Sequence, residues 1–406
     1  MKTPYSSFSL VLFVIVQAWA PHVAGAASLK IISDRSLPFP QWRSTEGLQP
    51  ALRKIAPADG DSFLARAAAI RWDDDRHVLV AAGRDGTFRL PAADGDRSPL
   101  ERVYGPLPDM GFLDAQVLLG TSHEFLVTSA PVHLMSWISR TIPDPKPVSI
   151  EMNFNTLIDL DVYGDRLLVL GLQKLEKGTL AADGAIAWTA KLGKKLTEVR
   201  PVQFSISGPG AHDTDACSVM HMGKVRFLQG GSFVVAPGAE PGIFVHAASG
   251  KLVKTWQAET VGFDAGCPIT EQEMYQYSAD PRPRFRWLNQ RRVLDDILPL
   301  ATGIGFVIRT RSNGLTRWQL KVLPPDAKVI TYDIPVTSPS EYARLTGDVR
   351  GNRIAFLLSV HTIDTPPVGS QHLIFTEVPK PPGSAGIATP PSGAKRYLSK
   401  KKSEKP

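Results

Sequence analysis

Cysteine is nearly absent, with only Cys217 and Cys267 in 406 residues. That excludes a disulfide-dense scaffold and any zinc or iron–sulfur centre held by several thiolates. After the first 26 residues no stretch is apolar enough to cross a bilayer as a helix. Net charge is also missing from the body of the chain. Seven basic residues against one acidic from Lys380 onward, together with Lys2, account for the whole formal charge of +7. The intervening body is therefore neutral and steers no nucleic acid, so no specific nucleic-acid partner is expected. Serine nucleophile elbow, zinc-binding helix, phosphate loop and dinucleotide fingerprint are all missing, and no cofactor or metal is implied. Carboxylates drawn together from distant strands would leave no linear motif, so catalysis is undecided by this absence.

The two ends carry processing and tail signals. Lys2 precedes an apolar stretch from Phe8 to Trp19, and Ala24-Gly25-Ala26 has the small-residue cleavage pattern. Residues 1–26 therefore read as a signal peptide, and the mature chain is expected to be secreted or periplasmic. From Pro379 the run Pro-Lys-Pro-Pro-Gly-Ser opens a low-complexity segment without apolar periodicity. Residues 379–406 are expected to be a disordered basic tail able to touch an anionic envelope surface.

The chain has 33 glycines and 34 prolines, and between the ends they punctuate short apolar runs. A strand, a polar turn and a strongly apolar second strand recur six times, the second strands centred on Val80, Val127, Val169, Val235, Val307 and Leu357. A third strand follows most of them, with Phe88, Trp137, Trp188, Phe244, Trp318 or Phe375 near its middle. Repetition at this spacing predicts an all-β, six-bladed β-propeller over residues 27–378, as a single domain and a monomer. Its inner strands would be covered on both faces and so lose polar alternation. Seven blades or a β-sandwich are the alternatives. Insertions are expected near residues 193–220 and 258–292, and one strand from residues 28–60 should complete the last blade.

Asp183-Gly184-Ala185-Ile186-Ala187-Trp188 resembles the Asp-Gly…Trp segment of quinoprotein-type (PQQ-like) propeller repeats, with Ser249-Gly250-Lys251-Leu252-Val253-Lys254-Thr255-Trp256 as a looser echo. The resemblance implies that the Trp docks one blade on the next, and it does not imply a bound quinone.

Chemistry-bearing residues are few. Cys217 and Cys267 flank the fourth repeat, and in an exported chain they predict one disulfide. His212, Asp213 and Asp215 read as a polar loop, and Asp73, Asp74 and Asp75 as a solvated turn. The distinctive segment is 271–292, in which Arg282, Arg284, Arg286, Arg291 and Arg292 interleave with Phe285 and Trp287. Guanidinium forks with aromatic planes suit anionic or sugar ligands, so Arg282, Arg284, Arg286, Trp287 and Arg291 are the candidate binding residues. The bland reading is an edge strand with the arginines facing water. The function expected is a non-catalytic propeller presenting loops to a protein, glycan or envelope partner. The alternative is a propeller hydrolase or lactonase acting on a small extracellular substrate. Asp159, Asp161 and Asp348 meeting a His on the axis would favour the enzyme, and a plugged axis the binder.

Overall fold

A computed structural model describes residues 26–37, 67–82, 87–92, 101–104, 115–119, 124–129, 134–139, 148–151, 154–173, 186–193, 195–202, 220, 222–279, 281–325, 328–361 and 369–379. The signal segment before residue 26, His212, Asp213, Asp215, Cys217 and the tail beyond residue 379 lie outside them.

The chain opens with β1 (Ala27–Ser28) and β2 (Lys30–Leu37). Next come β3 (Ala67–Trp72), β4 (His77–Ala82), β5 (Thr87–Pro91) and β6 (Glu101–Tyr104). Then follow β7 (Ala115–Leu119), β8 (Glu124–Ser129), β9 (Leu134–Ser139) and β10 (Val148–Glu151), with β11 (Phe154–Tyr163), β12 (Arg166–Gln173), β13 (Ala187–Lys191) and β14 (Thr197–Pro201) after them. The fourth group is β15 (Lys224–Phe227), β16 (Phe233–Ala236), β17 (Gly242–His246) and β18 (Leu252–Gln257). Three helices intervene: α1 (Ala258–Val261), α2 (Glu271–Ala279) and α3 (Pro281–Asn289). The chain then runs through β19 (Val293–Leu300), β20 (Gly303–Ser312), β21 (Leu315–Leu323) and β22 (Ile330–Ser338), and finally β23 (Arg344–Arg350), β24 (Arg353–His361) and β25 (Gly369–Glu377).

These strands form six sheets, each with four antiparallel strands, and β1 adds a fifth, parallel strand beside β22. The last sheet takes its fourth strand from the N-terminus, because β2 pairs with β25. The first strands β3, β7, β11, β15, β19 and β23 pack side by side in a closed circuit. The chain is a β-propeller. Val80, Val127, Val169, Val235, Val307 and Leu357 all fall on second strands, and the six aromatic residues named with them all fall on third strands.

Burial explains the apolar second strands. Leu167 to Leu170 on β12 and Phe233 to Ala236 on β16 are buried without alternation, because a neighbouring sheet covers each face. The hydrophobic clusters are accordingly shared between consecutive sheets. One joins Ile70, Val78 and Leu90 to Leu357, Leu373 and Phe375, and another joins Trp318 and Leu320 to Phe356 and Ile374.

The N-terminal segment fastens two sheets together. β1 lies parallel on β22, the Leu29 amide donates to the Asp333 carbonyl at 2.9 Å, and β2 continues onto β25. Leu29 itself is 2% exposed, within the cluster shared by these two sheets. Leu29→Ala is expected to cost about 2–5 kcal/mol in denaturant unfolding, as for other large-to-small core changes. A loss below about 0.5 kcal/mol, the range of ordinary surface substitutions, would show that this segment does not hold the ring.

Candidate functional site

The inner end of each first strand meets a structural difficulty. First strands run side by side around the axis, and on β3, β15 and β23 the edge turned to the preceding sheet presents backbone N–H groups without a ladder partner. Aspartates of the preceding sheet supply the missing acceptors. On β11, Asp159 and Asp161 share one face through the period of two, and their Oδ2 atoms accept from Val225 N at 2.9 Å and Phe227 N at 2.8 Å. On β19 a bulge near Leu294–Asp296 turns two consecutive aspartates toward β23. There Asp296 Oδ2 accepts from Gly347 N at 2.8 Å and Asp295 Oδ2 from Leu345 N at 3.4 Å. Asp348 on β23 does the same for β3, accepting from Trp72 N at 2.8 Å.

Two arginines hold these carboxylates across the axis. Arg71 Nη2 lies 2.6 Å from Asp161 Oδ1, and its Nη1 lies 3.5 Å from Asp348 Oδ1. Arg226 pairs with Asp296, approaches Asp161 Oδ1 at 3.8 Å and donates through Nε to the Ile297 carbonyl at 3.0 Å. Lys224 adds a looser contact, 3.6 Å from Asp159. Burial pushes the Asp159 carboxyl above its ordinary range, against the pull of Lys224, the Val225 amide and Arg226. Asp348 is likewise raised by burial, opposed by Arg71, the Trp72 amide and Arg226. For Arg226 burial opposes the charge, but Asp296, Asp161, Asp159 and Asp348 outweigh it and hold the guanidinium firmly protonated.

The three aspartates singled out on the sequence therefore do converge, and their counter-groups are Arg71 and Arg226. Both oxygens of Asp161 and of Asp296 are already engaged. These bonds join the two carboxylates to strands and side chains of other sheets.

Asp73, Asp74 and Asp75 are more than a solvated turn. Asp73 pairs with Arg89, and Asp75 pairs with Arg350 of the last sheet at 2.5 Å. Asp74 accepts from the Arg76 and His77 amides. Burial raises its pKa, but these bonds and the His77 side chain overcome that and pull it down to about 2.

The arginine-rich segment is helical, which corrects both the loop and the edge-strand readings. Thr270 and Glu273 form a capping box: Thr270 N donates to Glu273 Oε2 at 2.7 Å and Glu273 N to Thr270 Oγ1 at 3.2 Å. Pro281 starts α3, where its missing N–H costs nothing. Phe285 and Leu288, three apart, are the buried face of α3, packed with Met220, Met222, Ala239 and Cys267. The Cys267 Sγ lies 3.4 Å from Met222 Sδ. A period of 3.6 thus replaces the alternation that would have put all three arginines on one side.

The candidate binding residues are dispersed accordingly. Arg282 and Arg286 are exposed on α3, and Arg284 lies half-buried with its guanidinium 5.4 Å from the Phe285 ring centroid. Trp287 is half-buried beneath Arg291, at 4.5 Å, and Arg291 donates to the Ala265 and Gly266 carbonyls. These last two residues fasten the insertion to the backbone at 265–266. Sequence reasoning missed Arg344. It begins β23, is exposed, and places its guanidinium 5.5 Å from the same Phe285 centroid. No local pattern around Arg344 marks it, since only the docking of α3 brings it there.

No family model matches the chain and no curated protein matches it. Among solved structures it is similar to a member of the DUF4221 family from Bacteroides vulgatus, at 11% identity and a TM-score of 0.45 over 86% of this chain and 97% of that one. It is also similar to YCF48 bound to D1 peptide, at 8% identity and a TM-score of 0.40 over 90% and 100% of the two chains. A third is a catalytically inactive virginiamycin B lyase from Staphylococcus aureus with quinupristin, at 11% identity and a TM-score of 0.38 over 85% and 99%. Identity at this level concerns the fold, and the reading of the site rests on its own geometry.

Arg226→Gln removes one partner of a buried ion network and is expected to lower unfolding free energy by about 3–5 kcal/mol. The pH dependence has a definite sign. Because the folded Asp348 pKa lies above the ordinary 3.8, its contribution is complete below that pH and is lost as pH rises through the raised value. Asp348→Asn keeps an acceptor for Trp72 N and should remove that part of the slope. Denaturant titrations on both sides of pH 3.8 check it, an unchanged slope being the contrary result.

Proposed function

We propose that this chain is an exported, non-catalytic propeller of six blades whose helical insertion docks a protein partner. Support comes first from the place of the insertion. In a four-stranded antiparallel blade, the turn between second and third strands and the link to the next blade lie at one end. The segment from α1 to α3 is such a link. Gly266 N donates to Gly238 O at 2.7 Å in the β16–β17 turn, and Asn289 Nδ2 to Glu341 O at 3.2 Å in the β22–β23 link. The insertion is thus fixed at both sides on a rigid scaffold, as recognition segments commonly are.

The observation that carries the proposal is the division of faces on this insertion. Its apolar side is consumed by the cluster around Phe285, Leu288 and Cys267, while Tyr275, 63% exposed, and the exposed Arg282 and Arg286 face outward. Tyrosine and arginine are the side chains most enriched where interfaces concentrate their energy. Occupation of the axial carboxylates by backbone amides and guanidinium groups favours this reading over the hydrolase alternative.

The supporting assignments are a signal peptide removed near Ala26, export to the periplasm or beyond, and a Cys217–Cys267 disulfide. A bridge of that span would add roughly 4 kcal/mol in the chain-entropy description. Intact-mass analysis of exported protein should give an N-terminus near Ala27 and no alkylation without reductant. Two alkylated thiols in native protein would refute the bridge.

Docking is tested with a photo-crosslinking residue at position 275 of the full chain in its native envelope. A discrete protein adduct is expected there, absent when the same residue replaces Val253 on β18. Arg282→Glu with Arg286→Glu should abolish the adduct at unchanged melting temperature. Adducts of equal yield at both positions, or a carbohydrate adduct, would overturn the protein-docking reading.

A further inference from the structure

We propose that Asn313 is a site of spontaneous deamidation, in which the Gly314 nitrogen closes a succinimide on the Asn313 side chain and water opens it to aspartate and isoaspartate. The inference stands apart from the docking reading. Asn313 and Gly314 are the whole loop of the β20–β21 hairpin, because Ser312 pairs with Leu315 across it. Both lie in the left-handed region, Asn313 at φ 51° and Gly314 at φ 74°, as a two-residue turn of this kind requires. Of the asparagines in the chain, only Asn313 is followed by glycine. Glycine leaves the attacking nitrogen unhindered and lets the main chain rotate into the closing geometry.

The tip is open to the reaction. Both residues are exposed, and a Cβ built on Gly314 would meet no atom within 4 Å. Neither the Asn313 side chain nor the Gly314 N–H has a hydrogen-bond partner among the described residues. Asn289 and Asn352 make the contrast. Their side-chain nitrogens donate to the Glu341 carbonyl at 3.2 Å and to Glu377 Oε1 at 2.9 Å, and Gln290 and Arg353 follow them. Closure requires Asn313 to turn about its Cα–C bond, and exposed tips without packed side chains open at little cost. The step balances with water alone. The Gly314 nitrogen gives up its proton, its bond to the Asn313 Cγ forms, the Cγ–Nδ2 bond breaks and ammonia leaves. Hydrolysis at one ring carbonyl gives aspartate, and at the other isoaspartate, whose main chain is longer by one methylene. The lengthened chain cannot keep the two-residue register. Turns alternate between the ends of a blade, so this tip lies at the end of the ring that bears the insertion. Arg311, two residues before it, donates to the Pro339 and Ser340 carbonyls, beside the Glu341 carbonyl that holds Asn289 of α3.

The test holds the folded full chain in mildly alkaline buffer, digests it in acid and reads each asparagine by mass spectrometry, with fragmentation that separates isoaspartate from aspartate. Product at Asn313 should accumulate about tenfold faster than at Asn289 or Asn352, a barrier difference of about 1.4 kcal/mol. Isoaspartate should outweigh aspartate, and hydroxylamine, which attacks the succinimide, should cut the folded chain between residues 313 and 314. Asn313→Gln should abolish both signals. A urea-unfolded sample supplies the reference. An Asn313 that reacts there but stays intact in the folded chain would overturn the proposal, because the turn would then be protective. Equal rates at Asn313, Asn289 and Asn352 would also overturn it, and aspartate formed without isoaspartate would overturn the cyclic route.

Discussion

The fold depends on how unpaired backbone at the axis is satisfied. A ring of sheets leaves each first strand beside another first strand with which it shares no hydrogen-bonded ladder. Asp159, Asp161, Asp295, Asp296 and Asp348 put carboxylate oxygens where ladder carbonyls would be. That solution imports negative charge into a half-dry axis, and Arg71 and Arg226 are needed to tolerate it. The backbone requirement and the ion network are therefore one device. Apolar clusters between the sheets supply the bulk of burial, while the carboxylates decide which strand edge meets which.

This device also bears on function. Axial carboxylates on a propeller invite a catalytic reading, yet here they accept from neighbouring backbone amides and guanidinium groups. At one end of the ring a helical insertion is seated across a turn of its own sheet and a link of the next. Because the insertion buries Phe285 and Leu288, its arginines acquire fixed directions that a loop would not impose.

Much of the architecture was legible in order. Strand–turn–strand periodicity placed all six second strands, and the apolar monotony of Leu167 to Leu170 signalled a sheet covered on both faces. The helical character of 271–292 was also written in the chain, in the Thr270-x-x-Glu273 capping box and the prolines at the start of α3, but reading by alternation overlooked it. Arginines at 282, 284 and 286 mimic the period of a strand, whereas the apolar pair Phe285 and Leu288 keeps the period of a helix. The apolar pair prevailed, since burying it stabilises more than any arrangement of exposed charges.

Sequence by itself determined the repeat, the doubly covered inner strands and the residues able to carry charge to the axis, because periodicity and composition are local properties. Tertiary structure alone decided what those charges do. Whether Asp161 serves as a base or as an edge cap depends on the Phe227 amide and Arg71 reaching it from other sheets. Likewise Arg344 reaches the Phe285 ring only because α3 leans on the link before β23, a contact between segments far apart in the chain.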